Sequence, residues 1–230
     1  MDREHLEHEQ LVSELRDKQA REEYKKPLDT YRPALLPRLI GKFLVACGNL
    51  LYGHEPSYLK FRAVEVIARV PYHSWTSVAF TLLTLFYTDE ERARKLSRMT
   101  RFSRFAADNE TMHVVVISAL TQKEQKAGFL RYTLIPACFA FIYFWFSYLL
   151  YLIYPRYSLE INYLFEQHAY EQYDRFLGMY GTLLRGKSIE STFLADYGRH
   201  PRSQYEFFEL VRNDELVHRN QSIHEITTQR

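Results

Sequence analysis

The chain has 230 residues, 47% of them apolar and 25% charged, with a formal net charge of +2. That balance supports one substantial core and excludes a disordered or collagen-like chain. So small a charge gives no long-range basic field, which sets nucleic-acid binding aside, and two cysteines, Cys47 and Cys138, are too few for a thiolate metal site and read as buried thiols.

Tyr 18 and Phe 16 make the aromatic content high, which suits either a large aromatic core or a surface that meets a bilayer interface. The opening run MDREHLEHEQLVSELRDKQAREEYKK is rich in acids and lacks an apolar stretch, so it reads as neither a secretory signal nor a transit peptide. Residues 1–30 are expected to form a charged extension, either a solvated polar helix or a segment docked on a partner. Pro27, Pro33 and Pro37 mark a connector, and the main body is expected over residues 31–230.

LIGKFLVACGNLLYG predicts an apolar helix closed by Gly53. Residues 58–87 are again apolar and helical in pattern, with Glu65 in the middle of the first half and Pro71 six residues on, where a kink or break is expected. Thr88-Asp89-Glu90-Glu91 is a helix-start signal. After it Leu96, Met99, Ser103, Ala106, Glu110 and His113 recur at intervals of three and four and share one face. Arg94, Arg98 and Arg101 take the other side, as a solvated face or as contacts for anionic lipid head groups.

Residues 134–154 run for 21 residues without a charge, bracketed by Arg131 and Arg156, and as a helix they would extend about 30 Å. A spanning helix, a helix lying in one leaflet and a buried bundle helix all fit that length; Pro136 and the many Tyr and Trp rings weigh against the span. Beyond Pro155, Glu166, Ala169 and Tyr173 recur at helical spacing towards Gly181 and Gly186. A short helix is expected within residues 188–197, and Ser203-Gln204-Tyr205-Glu206 reads as a capping box for the last helix.

Two stretches carry the chemistry. DNETMHV sets Glu110 and His113 three residues apart, and NDELVHR sets Glu215 and His218 at the same spacing. On a helix, positions three apart lie on one face, so each pair offers a carboxylate and an imidazole to one point. Glu65 and Glu166 each place a single acid in an apolar helical setting. Two Glu-x-x-His helices and two single-Glu helices are the ligand set of di-iron and di-manganese carboxylate bundles, in which carboxylates bridge two ions and open positions bind O₂. The expected fold is therefore all-α, a ferritin-like four-helix bundle with a di-iron carboxylate site.

The order and context of these residues resemble the alternative oxidases, non-haem di-iron ubiquinol oxidases. Val64-Glu65-Val66 followed by Val70-Pro71 is similar to the family's first ligand segment, and Asn109-Glu110-Thr111-Met112-His113-Val114 to its second. Phe165-Glu166-Gln167-His168-Ala169 with Tyr173 is similar to its Glu-rich motif, and Arg212-Asn213-Asp214-Glu215-Leu216-Val217-His218-Arg219 to its last. Tyr197 and Pro201 match a connector, and the likeness covers roughly residues 35–225.

The resemblance implies two irons per chain held by Glu65, Glu110, His113, Glu166, Glu215 and His218, with Asn109, Asp214, Tyr197 and His168 around them. It implies reduction of O₂ to water by ubiquinol, Tyr173 supplying an electron and a proton, and Arg38 and Arg62 as candidate head-group contacts. It implies added apolar membrane-interface helices, which favours the interfacial reading of residues 134–154 over a span, and a monotopic protein in one leaflet of the mitochondrial inner membrane, or of a bacterial plasma membrane, as a homodimer or as a subunit of a respiratory complex. Thr111, Gln167, His168 and Gly198 depart from the family pattern near the ligands, so a catalytically weak accessory subunit is the alternative expectation.

Overall fold

The computed structural model describes residues 3–124 and 126–228, which form helices and connecting turns with no strand among them. The acidic N-terminal run folds as two helices, α1 (Arg3–Glu14) and α2 (Lys18–Asp29). Asp17 caps α2, its carboxylate accepting from the Ala20 amide at 2.9 Å. The connector then leads to the apolar α3 (Leu35–Tyr52), which ends at Gly53 with φ 88°, a left-handed conformation that favours glycine.

Ser57 starts α4 (Tyr58–Ala68), accepting from the Lys60 amide, and Pro71 has the effect expected of it: α4 stops at Ala68 and α5 (Val70–Phe86) begins with the proline in its first turn. Asp89 accepts from the Arg92 amide at 3.0 Å and opens α6 (Glu90–Glu124). On α6 Met99, Ser103, Ala106, Glu110 and His113 are buried together, while Arg94, Arg98 and Arg101 are exposed, the division that their spacing predicts.

A π-helical turn (Leu130–Leu134) runs into α7 (Ile135–Ile153), and Arg131 Nε donates to the Leu51 carbonyl at 2.7 Å, tying the start of α7 to the end of α3. α8 (Pro155–Arg185) passes Gly181 and ends at Gly186; α9 (Thr192–Asp196) is one short turn, and α10 (Gln204–Thr228) closes the described chain. The Ser203 hydroxyl accepts from the Glu206 amide, and Glu206 reaches back one residue further than a capping box requires, to the Arg202 amide at 2.8 Å.

α4, α6, α8 and α10 are the four helices of an all-α bundle. α8 packs along α10, and α6 along α4 and α5. Aromatic and aliphatic side chains fill one end of the bundle, around Phe61, Ile117, Phe176 and Phe208, and a second cluster around Tyr72, Trp75 and Leu159 fills the other. The ligand-bearing residues lie between the two. α7 packs on α4, α5 and α8, and α3 on α8.

α3 and the segment 130–153 are both apolar and long enough to cross a membrane, yet most of each lies outside the core. Leu39, Phe43 and Leu50 on α3 and Phe141, Ile142 and Trp145 on α7 are exposed. The two cysteines differ from the buried pair that their neighbours suggest. Cys138 is exposed and Cys47 half-buried, because the apolar helices that carry them face outward.

Candidate metal centre

The six ligand candidates come from the four helices of the bundle: Glu65 from α4, Glu110 and His113 from α6, Glu166 from α8, Glu215 and His218 from α10. All six are buried to 2% exposure or less. Their donor atoms fall into two sets, Glu65–Glu110–His113–Glu215 and Glu110–Glu166–Glu215–His218, and within each set one atom per residue lies within 4.8 Å of the others. Glu110 and Glu215 belong to both sets. If two ions were held here, Glu110 and Glu215 would be available to both, with Glu65 and His113 completing one set and Glu166 and His218 the other.

The separations suit a cation. His113 Nδ1 stands 3.6 Å from Glu65, 3.5 Å from Glu110 and 3.4 Å from Glu215, and His218 Nδ1 is 2.9 Å from Glu110. Oxygen and nitrogen atoms bound at about 2.1 Å to one ion stand roughly 3 Å apart when they subtend a right angle. No hydrogen bond accounts for these contacts. Glu65 Oε2, both oxygens of Glu110 and of Glu215, His113 Nδ1 and both nitrogens of His218 are buried without a hydrogen-bond partner.

An orphaned buried polar atom costs about 1–3 kcal/mol, and a group of them pointing at one another is stable only with positive charge among them. The donor set thus fits a pair of metal ions. Without cations, the cluster must hold protons. Burial raises Glu65 to about 7, and burial with the neighbouring Glu110 raises Glu215 well above the usual carboxylate range. Burial also pushes Glu110 upward, but His113 and His218 outweigh it and bring Glu110 down to about 2.

The surrounding hydrogen bonds fix the ligands. Asp214 is fully buried and accepts from His113 Nε2 at 2.9 Å, which leaves the Nδ1 lone pair of His113 facing the cluster. Burial pushes the Asp214 carboxyl up, but the Arg199 guanidinium outweighs it and holds the group well below the usual range, so it remains an acceptor. Gly198, with φ 69°, turns the chain so that Arg199 grips Asp214 through both terminal nitrogens, at 2.5 and 2.7 Å.

Two tyrosines act as mirror partners. Tyr173 lies seven residues after Glu166 and bonds Glu65; Tyr72 lies seven residues after Glu65 and donates to Glu166 at 2.6 Å. Each therefore stands seven residues beyond one single acid and hydrogen-bonds the other, Tyr173 on the same helix as Glu166 and Tyr72 across the break between α4 and α5. Asn162 Nδ2 reaches both the Tyr72 hydroxyl, at 2.9 Å, and Glu166, at 3.1 Å. The family resemblance singled out Tyr173 and passed over Tyr72, which stands at the same interval of seven from Glu65.

The remaining candidates are distributed around this centre. Asn109 is buried with its Oδ1 unpartnered. The Tyr197 carbonyl accepts from His5 of α1 at 3.0 Å. Thr111 bonds the Ala107 carbonyl of its own helix, and Gln167 accepts from the buried Arg219 at 2.5 Å. His168 faces a cavity rather than the cluster.

That cavity measures about 150 Å³ and lies between α3, α4, α7 and α8, a volume that holds one benzene-sized ring. Leu44, Phe139 and Phe165 contribute to its apolar walls, and Glu65, Glu166 and Tyr173 form its inner end. Lys60 also borders it, and its ammonium is held by Asn49 and Gln172, both at 3.0 Å. Arg62 instead bonds Thr133 at 3.2 Å, and Arg38 is exposed on α3; neither borders the cavity, so the cation at that place is Lys60.

A family model described as alternative oxidase matches residues 48–227. Among curated proteins, the chain is similar to ubiquinol oxidase 4, chloroplastic/chromoplastic, of Arabidopsis thaliana, with 26% identity over 185 residues that cover 71% of this chain and 50% of the relative. The chain thus spans half the length of that relative. No solved structure matches. The match over most of the bundle, together with the doubled Glu-x-x-His cluster that the bundle assembles, shows that the chain belongs to the alternative oxidase family.

Proposed function

We propose that the protein is a ubiquinol:oxygen oxidoreductase with two irons held by Glu65, Glu110, His113, Glu166, Glu215 and His218, acting from one leaflet of a quinone-containing membrane such as the mitochondrial inner membrane. The observation that carries the reading is the cavity: it starts among the apolar helices α3 and α7 and ends on Glu65, Glu166 and Tyr173. One space therefore joins a lipid-compatible surface to the ligand cluster. The reaction balances as two quinols and one O₂ giving two quinones and two waters.

A bound iron pair supplies the redox chemistry for reducing O₂, and the rest falls to the chain's own residues. The apolar walls exclude water and receive a substituted ring. The Tyr173 hydroxyl donates to Glu65 where both border the cavity, with its ring stacked on Phe61 at 4.1 Å, so it is placed to pass a proton and an electron inward. Tyr72 and Asn162 hold Glu166 in its rotamer from the opposite side. Asp214 holds His113 with its Nε2 proton outward.

Exposed apolar side chains on α3 and α7 support docking on a bilayer, and the aromatic rings among them suit the head-group level. The basic side of α6, with Arg94, Arg98 and Arg101, would meet anionic head groups or a partner subunit. The test is oxygen uptake by the purified, iron-loaded protein in vesicles with a short-chain ubiquinol, in the presence of cyanide. Two irons per chain with quinol-dependent, cyanide-insensitive uptake is the expected outcome. Iron bound without turnover would support an accessory role instead.

A further inference from the structure

α1 lies against α10, and its buried His8 is two hydrogen bonds away from a cluster residue. His8 Nε2 meets Asp214 Oδ1 at 2.8 Å, and Asp214 Oδ2 meets His113 Nε2 at 2.9 Å. An ionised carboxylate only accepts, so both imidazoles present N–H at Nε2. His113 then has its free lone pair on Nδ1, the atom buried without a partner beside Glu65, Glu110 and Glu215.

The same carboxylate is held a second time from α1. Arg199 grips Asp214 and also forks onto Glu9, with Nε at 3.0 Å and Nη2 at 2.7 Å from its carboxylate. Asn213, the residue before Asp214, donates to the Val12 carbonyl at 3.0 Å, and Val12 and Leu15 bury against Leu216 and Val217 of α10. α1 therefore supplies one direct donor to Asp214, one acceptor that steadies the other donor, and an apolar seat for the helix that carries Glu215 and His218.

We propose that α1 is part of the metal centre, with His8 acting as a positioning residue that fixes the ring of His113 through Asp214, so that docking of α1 and retention of metal are one coupled equilibrium. This rests on the reading of the cluster as a metal centre. Coupling of this kind is reciprocal: whatever factor α1 docking adds to metal affinity, metal binding must add to α1 docking.

The experiment uses the full chain, stripped of metal and titrated with Co(II), whose visible absorption reports ligand geometry. Wild type is expected to take up two ions per chain. H8L removes the N–H and keeps apolar bulk, and H8Q returns an N–H at the place of Nε2. H8L should bind at least one ion about 10-fold more weakly and shift its spectrum, as loss of a hydrogen bond behind a ligand does, while H8Q recovers most of the affinity. A role in packing alone would be met by leucine and not rescued by glutamine. Q10A, an exposed substitution on the same helix, should match wild type.

Amide hydrogen exchange over residues 3–14 of wild type supplies a second readout, and it should slow on Co(II) binding by no less than the factor that H8L loses. Equal Co(II) affinity in wild type and H8L, or exchange in α1 that ignores the metal, overturns the inference while leaving the metal reading intact. A wild-type chain that takes up no Co(II) overturns both. If H8L fails to fold, the exchange comparison on wild type still decides.

Discussion

α10 and α7 invert the usual relation between polarity and burial. α10 holds Arg212, Asn213, Asp214, Glu215, His218, Arg219 and Asn220 in near-unbroken series, and all of them are buried. α7 is apolar along its whole length, and its buried residues are Pro136, Tyr143, Ser147 and Tyr151. In a protein surrounded only by water, both helices would be on the wrong side. α10 is tolerated inside because its polar atoms find Asp29, Asp174, Gln167, Arg199 and His8 or face the cluster, and a buried polar group is stable when partnered. The outward face of α7 has no such answer among the described residues, and a lipid surface would provide one. On the proposed function, burial in this fold follows available partners, metal for one helix and membrane for the other.

The comparison breaks most sharply at Glu110, which both ligand sets share. E110A is expected to lower metal content from about two ions per chain to none, read by elemental analysis; full occupancy would remove the reason for the polar interior of α10. Stripping the wild type with a chelator should be the next largest effect. A ligand present at about a thousand times its Kd adds about 4 kcal/mol, which for a domain of this size is roughly 8–16 °C in Tm. A melting curve indifferent to chelation would mean that α10 is satisfied without cations.

On the α7 side, exchanging exposed Phe141 and Ile142 for Arg should weaken vesicle binding while leaving Tm nearly unchanged. Each large apolar side chain contributes about 1.5–3 kcal/mol when buried, so losing both should lower partition by ~100-fold or more, measured by vesicle sedimentation. Tyr72 and Tyr173 give a finer division. Y173F should suppress quinol oxidation at nearly normal iron content, because Tyr173 lines the cavity, whereas Y72F should chiefly weaken metal retention, because Tyr72 bonds Glu166 and does not itself line the cavity. Equal effects on both readouts would erase the distinction. R94A is the smallest: its 2.9 Å pair with Glu90 is exposed, and losing it should move Tm by no more than about 2 °C.

Much of this was legible in the residues alone. Spacing by three put Glu110 with His113 and Glu215 with His218, Pro71 marked the break between α4 and α5, and Gly53 marked the end of α3. These are local rules that a few neighbouring residues decide. The contacts of α1 were of another kind. His8 and Asp214 are 206 residues apart in sequence, and nothing in the acidic run distinguishes a solvated helix from one whose partners are buried arginines. Their counterpart was visible only in retrospect: Arg212 and Arg219 on a helix that must be buried require anions from elsewhere, and Asp29 answers Arg219. Arg199 was hidden for a similar reason, since its aim depends on the left-handed turn at Gly198.

The position of the cavity also changes what concentration means for this site. Its outer wall is made by α3 and α7 beside the exposed apolar face, so on the proposed function a quinol entering there would be sampled from the lipid phase. Turnover should then follow the mole fraction of quinol in the bilayer: adding empty vesicles at fixed total quinol would slow the reaction by surface dilution, although nothing in the surrounding water had changed.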